Sequence, residues 1–392
     1  MSSKKKINVL VLGVSLLDGM ASSVRVRNLL GPLLENNSIT VNNLIYAKDR
    51  IGEPEKLDLL KLVSFKIIHF KLKNPFSTAK FLIEGFTFIK KSKLSDKKNI
   101  LYSYDYPDIK SVFFILYARI SGYKVVIDLI EDNDFVTHYV SFINRLRIIS
   151  SKFFLKISPL ATHGYIAISN HLVAKLRSLT KTPVFLIPIS VDLNFFKKNW
   201  HNPTEEREIK IFYGGSFANK DGLTHLIAAF DQISKKFDHV SLVLTGRGLT
   251  GDMETILKQV QSLDHKAKIS FKGYLDTEEY YAVMNECDIF CMTRNKSQYA
   301  NAGFPFKLGE FLAAGKGVIA TKVGDVQKYL VNMENSLLID SESTTQLVDA
   351  ISYFVNNRNQ INVLGMKARA TAELNFDSHK LSKSILDIFK TV

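Results

Sequence analysis

A lysine and a glutamate, Lys307 and Glu310, stand three residues apart at the start of a predicted short helix. Residues at this spacing share a helix face. Pro305 suits the first helical turn because its missing N–H would have no partner there, and Gly315 suits a left-handed helix end. A helix N-terminus attracts phosphate, so the pair predicts a site for a phosphorylated, hydroxyl-rich ligand. An ordinary surface salt bridge is the alternative.

Strands and helices alternate along the chain on both sides of a polar segment near residues 190–207. Apolar runs such as residues 7–14 and 209–215 have strand length, and each is followed by a segment with helical periodicity. Such alternation predicts parallel sheets covered by helices on both faces, and 392 residues suffice for two domains. The predicted parts are an N-terminal domain over 1–190, a linker over 191–207, a C-terminal domain over 208–372 and a final helix over 373–392 that would pack back on the N-terminal domain.

The composition, with 46% apolar and 23% charged residues, is that of a globular protein. Cys287 and Cys291 are too few for a disulfide framework or a four-cysteine zinc site. No apolar run reaches the roughly 18 residues that span a bilayer. Three N-terminal lysines before an apolar run imitate a secretory signal, but that run opens the strand–loop–helix pattern of a domain. We therefore expect a cytoplasmic location.

The whole positive excess of the chain, +14, lies in its first half. Residues 1–200 hold 30 Lys and Arg against 15 Asp and Glu, whereas residues 201–392 hold 22 against 23. This asymmetry indicates an anionic partner for the first half, such as acidic lipid, nucleic acid or a phosphorylated acceptor. No recognition helix or aromatic RNA-binding motif occurs there, so we expect no nucleic-acid partner. Residues 141–158 form a basic amphipathic pattern, typical of a helix on an anionic membrane and also of one that covers a sheet.

The order of motifs resembles that of GT-B glycosyltransferases, most closely the retaining, nucleotide-sugar-dependent enzymes of glycosyltransferase family 4 that build bacterial surface polysaccharides. FPFKLGEFLAAGKGV, residues 304–318, is similar to the family signature F-P-x-K-x-x-E-[YF]-x-A-x-G-K-x-V. YGGSFANKDG, residues 213–222, resembles the glycine turn followed by a lysine at the next helix start. LTGRG, residues 244–248, resembles the strand that ends in a second glycine turn. The resemblance covers most of the chain and is strongest over residues 209–340.

This resemblance implies an α/β GT-B fold, with two Rossmann-like domains whose parallel sheets face an interdomain cleft. It implies transfer of a sugar from a nucleoside-diphosphate sugar to a lipid-linked or surface-glycan acceptor. Lys220 and Lys307 would act on the diphosphate and Glu310 on the donor ribose, and these three are the catalytic candidates. The expected donor-binding residues are Gly19, Gly215, Ser216, Lys220, Gly246, Phe304, Lys307, Leu308 and Glu310.

The reacting centre and the acceptor would be contacted by residues of the first half. The candidates are Arg25, Arg27, Glu131 and Asp132, and we expect one of the two arginines to face the cleft and the other to face solvent. The alternative for the two acids is that they are solvated loop residues. We expect no cofactor and no metal, since the nucleotide sugar is a substrate and Asp132-x-Asp134 alone is a weak metal motif. The resemblance places the protein at the inner face of the cell membrane, held peripherally by its basic first half.

Three positions depart from the family pattern. Ala302 replaces a common glutamate, Ser216 replaces a frequent arginine, and Ile130 replaces a frequent histidine. These departures leave the donor sugar and the group that contacts it undetermined. They also keep two alternatives open, a nucleotide-sugar epimerase on the same scaffold and a catalytically silent partner subunit. His138 and His163 are expected to be structural.

Overall fold

The computed structural model describes residues 7–47, 57–69, 75–136, 142–196 and 207–392. The chain divides into two compact units, unit 1 with residues 1–190 and 378–392, and unit 2 with residues 191–377. Most of the predicted linker, residues 197–206, lies outside the described part. Within the described ranges, no helix combines the length and the apolar character needed to cross a membrane.

Unit 1 is built on a parallel sheet whose strands are covered by helices. Its strands are β1 (Ile7–Leu12), β2 (Ile39–Ala47), β3 (Val63–His69), β4 (Lys98–Tyr104), β5 (Lys124–Leu129), β6 (Gly164–Ala167) and β7 (Val184–Leu186). Its first five helices are α1 (Ala21–Glu35), α2 (Pro75–Ser92), α3 (Ile109–Ile120), α4 (Phe142–Ile157) and α5 (Asn170–Leu179). The order of these strands across the sheet is β3-β2-β1-β4-β5-β6-β7. Every residue of β1 is buried, because helices cover both faces of a parallel sheet.

Unit 2 repeats this plan with a second parallel sheet. Its strands are β8 (Ile209–Ser216), β9 (Val240–Arg247), β10 (Ile269–Gly273), β11 (Ile289–Met292), β12 (Gly317–Thr321) and β13 (Leu337–Ile339). Its helices are α6 (Leu223–Lys236), α7 (Thr250–Gln261), α8 (Thr277–Asn285), α9 (Gln298–Ala302), α10 (Phe306–Ala313), α11 (Thr344–Asn356) and α12 (Arg358–Asn375). Their order in the sheet is β10-β9-β8-β11-β12-β13. The prediction of two α/β units with parallel sheets is confirmed.

The last helix, α13 (Ser378–Thr391), belongs to unit 1 and packs against α1. Its Ile385 and Phe389 are fully buried in the core of that unit, and the Phe389 ring lies 6.3 Å from the ring of Tyr102 on β4. The sequence pattern indicates the helix break before α13 but not the one at Asn357, where α11 and α12 meet.

Each sheet has a switch point, where the winding of the chain reverses between two neighbouring strands. It lies between β1 and β4 in unit 1 and between β8 and β11 in unit 2. Ligands of open α/β sheets bind outside the carboxyl ends of the strands at such points. A ligand site is therefore expected at the segments that follow β1, β4, β8 and β11.

Candidate active site

Lys307 and Glu310 lie on one face of α10, as their spacing predicts, with the ammonium 3.2 Å from the carboxylate. Pro305 directly precedes the helix, and Gly315 has the left-handed φ of 69° that ends it. Gly315 therefore ends the helix as predicted, whereas Pro305 stands one residue before the first helical turn and not within it. The carboxylate is largely buried, whereas about a third of the lysine side chain is exposed. The lysine can therefore still meet a ligand.

Two tyrosines of α8 hold the Glu310 carboxylate. The Tyr280 hydroxyl donates to one carboxylate oxygen at 3.3 Å, and the Tyr281 hydroxyl donates to the other at 3.2 Å. Burial raises the pKa of Tyr280 well above its usual value, and the charge of Glu310 adds to this, so the hydroxyl stays protonated and able to donate. The Lys307 ammonium also lies 4.1 Å from the centroid of the Tyr280 ring, a cation–π contact. The sequence analysis did not identify either tyrosine. Their only sequence signal is that they are adjacent on the predicted helix before β11.

Two glycines shape the carboxyl ends of β8 and β9. Gly246 has φ 132°, and a Cβ at this residue would lie 1.7 Å from the carbonyl oxygen of Gly215. A Cβ at Gly215 would lie 3.9 Å from Cγ of Lys307, so the lysine stem runs beside the end of β8. Ser216, the last residue of β8, is exposed. The glycine turns and Lys307 thus form one surface.

Lys220 lies in the loop between β8 and α6, and this loop is clamped to the segment that follows β11. The Lys220 carbonyl accepts a 2.9 Å bond from the N–H of Asn295. A Cβ at Gly222, which has φ 66°, would lie 2.0 Å from the carbonyl oxygen of Thr293. The Lys220 ammonium lies 4.6 Å from the centroid of the Tyr299 ring. The loop that carries Lys220 is therefore fixed at the switch point of unit 2.

Phe304 and Leu308, two expected donor-binding residues, have buried side chains. The Phe304 ring packs 5.5 Å from the ring of Tyr329 and 5.9 Å from that of Phe376. Ala302 is buried as well and offers no carboxylate to a sugar. The donor-binding roles of Phe304 and Leu308 remain predictions, and their side chains support the shape of the site.

The expectation that either Arg25 or Arg27 faces solvent is wrong, because both are buried in unit 1. Arg25 pairs with Asp128 at 2.9 Å and donates to the carbonyl oxygens of Ile187 and Pro188. A buried guanidinium needs such partners to offset its lost hydration. The position of Arg25 on α1, between the sheet and the segment after β7, supplies them.

Arg27 fixes the loop after β1, in which the candidate Gly19 is half-buried. It donates to the carbonyl oxygens of Leu16 and Asp18, at 3.0 and 2.6 Å. Asn43 on β2 accepts from the N–H of Leu16 in the same loop. A contact of either arginine with the reacting centre remains a prediction.

Asp132 is buried and surrounded by donors, while Glu131 beside it is half-buried. Asp132 lies 2.8 Å from Nε2 of His171 and also pairs with Lys175, which bridges to Asp134. Burial alone would raise the pKa of Asp132, but hydrogen bonds from Lys175 and His171 outweigh it and hold the pKa below its usual value. The alternative of two solvated loop acids therefore does not fit Asp132.

The ammonium group of Lys175 pairs with both acids of the Asp132-x-Asp134 motif. The described ranges contain no group of three or more His, Cys, Asp or Glu side chains that could hold a metal ion.

His163 accepts a 3.1 Å hydrogen bond from the N–H of Val125, as a neutral structural histidine does. Burial, with help from Lys124, Arg119 and Lys98, lowers its pKa to about 4. His138 lies outside the described residues.

Comparison with known proteins identifies the second unit. Residues 194–371 match the family model of glycosyl transferases group 1. An uncharacterized glycosyltransferase of Methanocaldococcus jannaschii is 23% identical over 186 residues, 47% of this chain and 46% of that one. The phosphatidyl-myo-inositol mannosyltransferase of Mycobacterium leprae is 26% identical over 183 residues, 46% of each chain. The chain thus matches about half the length of these curated relatives.

The fold of the whole chain is also found among solved structures. Anabaena HepE in complex with UDP superimposes with a TM-score of 0.72 at 14% sequence identity, over 99% of this chain and all of that one. The two parallel-sheet units therefore form a GT-B fold, the architecture of a large class of glycosyltransferases. Residues 194–371 of the second unit carry a domain similar to the glycosyl transferases of group 1.

Proposed function

We propose that the protein is a retaining glycosyltransferase that moves a sugar from a nucleoside-diphosphate sugar to a lipid-linked or surface-glycan acceptor. The observation that carries the proposal is the Lys307–Glu310 pair beside the glycine turn of β8, at the switch point of a group 1 glycosyltransferase domain. The Glu310 carboxylate can accept hydrogen bonds from ribose hydroxyl groups, and the partly exposed Lys307 ammonium beside it can bind the phosphates that follow the ribose.

Sugar transfer leaves negative charge on the departing diphosphate while the anomeric carbon becomes cationic. Lys307 and Lys220 are positioned for that charge, since both lie at the carboxyl edge of the sheet on segments fixed by neighbouring rings. Preorganised charges of this kind act strongly in a site that excludes water, and the loss of one contact costs about 10²–10³ in rate. Glu310, held by Tyr280 and Tyr281, would keep the ribose in place.

A lipid-linked acceptor and peripheral membrane contact are part of the proposal. The Mycobacterium leprae relative is, by its name, a mannosyltransferase that acts on phosphatidyl-myo-inositol. In unit 1, α4 exposes Phe142, Leu146 and Phe153, together with Arg145 and Lys156. The packed neighbour α3 exposes further apolar side chains, namely Ile109, Phe113, Leu116 and Ile120. An apolar surface with basic residues suits the inner, anionic face of a cell membrane.

A panel of nucleotide sugars scored by thermal stabilisation tests the function, because a donor that binds the folded state raises its melting temperature. We expect at least one donor to stabilise the protein, and Lys307→Ala to lower turnover of that donor by about 10²–10³. Lys235→Ala is the matched control, since Lys235 also pairs with an acid of its own helix, Asp231, at 2.8 Å. Wild-type turnover in Lys307→Ala would refute the assigned site.

The same panel separates the two alternatives. A new nucleotide sugar formed without any acceptor would identify an epimerase. A protein that binds no nucleoside diphosphate in calorimetry would be the silent subunit, the alternative motivated by Ala302, Ser216 and Ile130.

A further inference from the structure

Asp105 follows directly after β4, at the switch point of unit 1, and nothing in the sequence marked it. Its backbone has φ 63°, the left-handed conformation that few residues other than glycine adopt. Asp is among the tolerated residues, and the N–H of Asp105 donates to the carbonyl oxygen of Asp128 at 2.7 Å. The neighbouring strand β5 thus holds the backbone in a conformation that is unfavourable for most residues. Such strain is retained where the surrounding structure requires it, often at functional sites.

Among the described residues, no cation forms an ion pair with the Asp105 carboxyl group, in contrast to neighbouring acids. Its Oδ1 is shielded from solvent and accepts no hydrogen bond from the described residues. Two other acids of the same region are paired, Asp128 with Arg25 and Asp132 with Lys175. A carboxylate oxygen that is buried without a partner destabilises a protein, so an acid with a purely structural role would be expected to have one.

The charges around Asp105 make its protonation sensitive to pH near neutrality. Burial, followed by the charge of Glu131, raises the pKa of Asp105 to about 7, while the N–H groups of Tyr106 and Ile130 and the charge of Arg147 on α4 oppose the shift. Burial, followed by the charge of Asp105, raises the pKa of the neighbouring Tyr104 well above its usual value, so its hydroxyl stays protonated.

We propose that Asp105 binds the acceptor, accepting a hydrogen bond from the hydroxyl group to be glycosylated. The inference rests on the proposed function and adds a residue of unit 1 to it. Asp105 is only half-buried, so a change of its side-chain rotamer brings Oδ1 to an incoming hydroxyl, which supplies the missing partner at the carboxyl edge of the sheet where ligands of such folds bind. The ionised carboxylate accepts this bond more strongly than the protonated acid, so acceptor binding strengthens as pH rises through 7.

Asp105→Asn tests the inference because it removes the negative charge but keeps nearly the same side-chain shape, and Asn tolerates the left-handed backbone. Release of nucleoside diphosphate from a donor that stabilises the wild type is measured between pH 5.5 and 8.5, with water alone and with added myo-inositol or methyl α-mannoside. We expect Asp105→Asn to keep the KM for the donor within about twofold of the wild-type value. The rate of nucleoside diphosphate release should fall at least about tenfold, and its increase as pH rises through 7 should disappear. Asp58→Asn, at an exposed acid of unit 1, should behave as the wild type.

A second measurement does not depend on turnover. In the full chain labelled with [γ-¹³C]Asp, the signal that is missing from Asp105→Asn reports the carboxyl group directly, and added myo-inositol or methyl α-mannoside should shift it saturably without nucleotide. An unmoved signal, or an Asp105→Asn variant with the wild-type rate and pH profile, would overturn the inference. Failure of every nucleotide sugar to bind the wild type would instead refute the proposed function, while a shift of the carboxyl signal by the polyols would still support a hydroxyl site at Asp105.

Discussion

The Lys307 ammonium lies 3.2 Å from the Glu310 carboxylate, which is also held by hydroxyl groups of Tyr280 and Tyr281. Glu310 is therefore oriented from two sides before any ligand arrives. A carboxylate fixed in this way loses little side-chain entropy when it binds a hydroxyl group.

Glu310→Gln should weaken the binding of a nucleoside diphosphate about tenfold, since hydrogen bonds to a charged acceptor contribute roughly 1.5–3 kcal/mol. Isothermal calorimetry with UDP and GDP measures the change. Glu286→Gln is the control, because Glu286 is an exposed acid paired with Lys210 at the other end of the sheet. Equal affinities in the wild type and in Glu310→Gln would count against the ribose-binding role.

Gly222→Ala should loosen the loop that carries Lys220. Its φ of 66° is unfavourable for alanine, and the added Cβ would lie 2.0 Å from the carbonyl oxygen of Thr293. We expect a lower melting temperature and a loss of donor stabilisation. Gly251→Ala is the matched control, because a Cβ at Gly251 would meet no atom within 4 Å. If the two variants had the same melting temperature, the clamp would not be needed for stability.

Asp128→Asn should destabilise unit 1 by about 3–5 kcal/mol, because it leaves the Arg25 guanidinium buried without its counter-charge. Urea unfolding followed by circular dichroism measures this. The double variant Arg25→Met with Asp128→Leu should regain much of the loss, since it removes both charges. A double variant as unstable as Asp128→Asn would show that packing, and not the unpaired charge, sets the cost.

Asp105 should make the stability of unit 1 depend on pH. Its pKa is about 7 in the folded protein, above the unfolded value of 3.8, so the folded state binds more protons between these values. Stability should therefore fall as pH rises from about 4 to about 7, by up to about 4 kcal/mol. Asp105→Asn should remove this fall and be more stable than the wild type at pH 8 but not at pH 4. If the urea unfolding midpoints of the wild type and of Asp105→Asn changed by the same amount between pH 4 and pH 8, the prediction would be contradicted.

The exposed face of α4 should bind anionic membranes. Phe153→Asp removes an apolar side chain that is 58% exposed and adds a negative charge, so it should reduce cosedimentation with phosphatidylglycerol vesicles severalfold. Wild-type binding should weaken in high salt, which screens the basic residues. Leu257→Asp, at a partly exposed residue of unit 2, is the control. Equal binding by the two variants would argue against α4 as the contact.

Local patterns in the sequence were sufficient for the elements and for part of the candidate site. Strand and helix alternation predicted the two parallel sheets, because the periodicity of buried side chains is a property of each segment. The spacing of Lys307 and Glu310 placed them on one helix face, and Gly315 ended that helix, for equally local reasons. Similarity to family motifs further predicted a glycosyltransferase domain in the second half and a donor-binding role for Lys220, in the loop after β8.

Tertiary structure alone decided which distant residues became partners. Arg25 and Asp128 are 103 positions apart, and Tyr281 and Glu310 are 29 apart, so neither pair leaves a periodic signal. The same holds for Asp105, whose missing partner is visible only once β4 and β5 are paired and their neighbours are known. The elements and the residues that share a helix face follow from local sequence patterns, because these depend on spacing within one segment. The strand order, the buried charges and their partners depend on how segments far apart in the chain pack together.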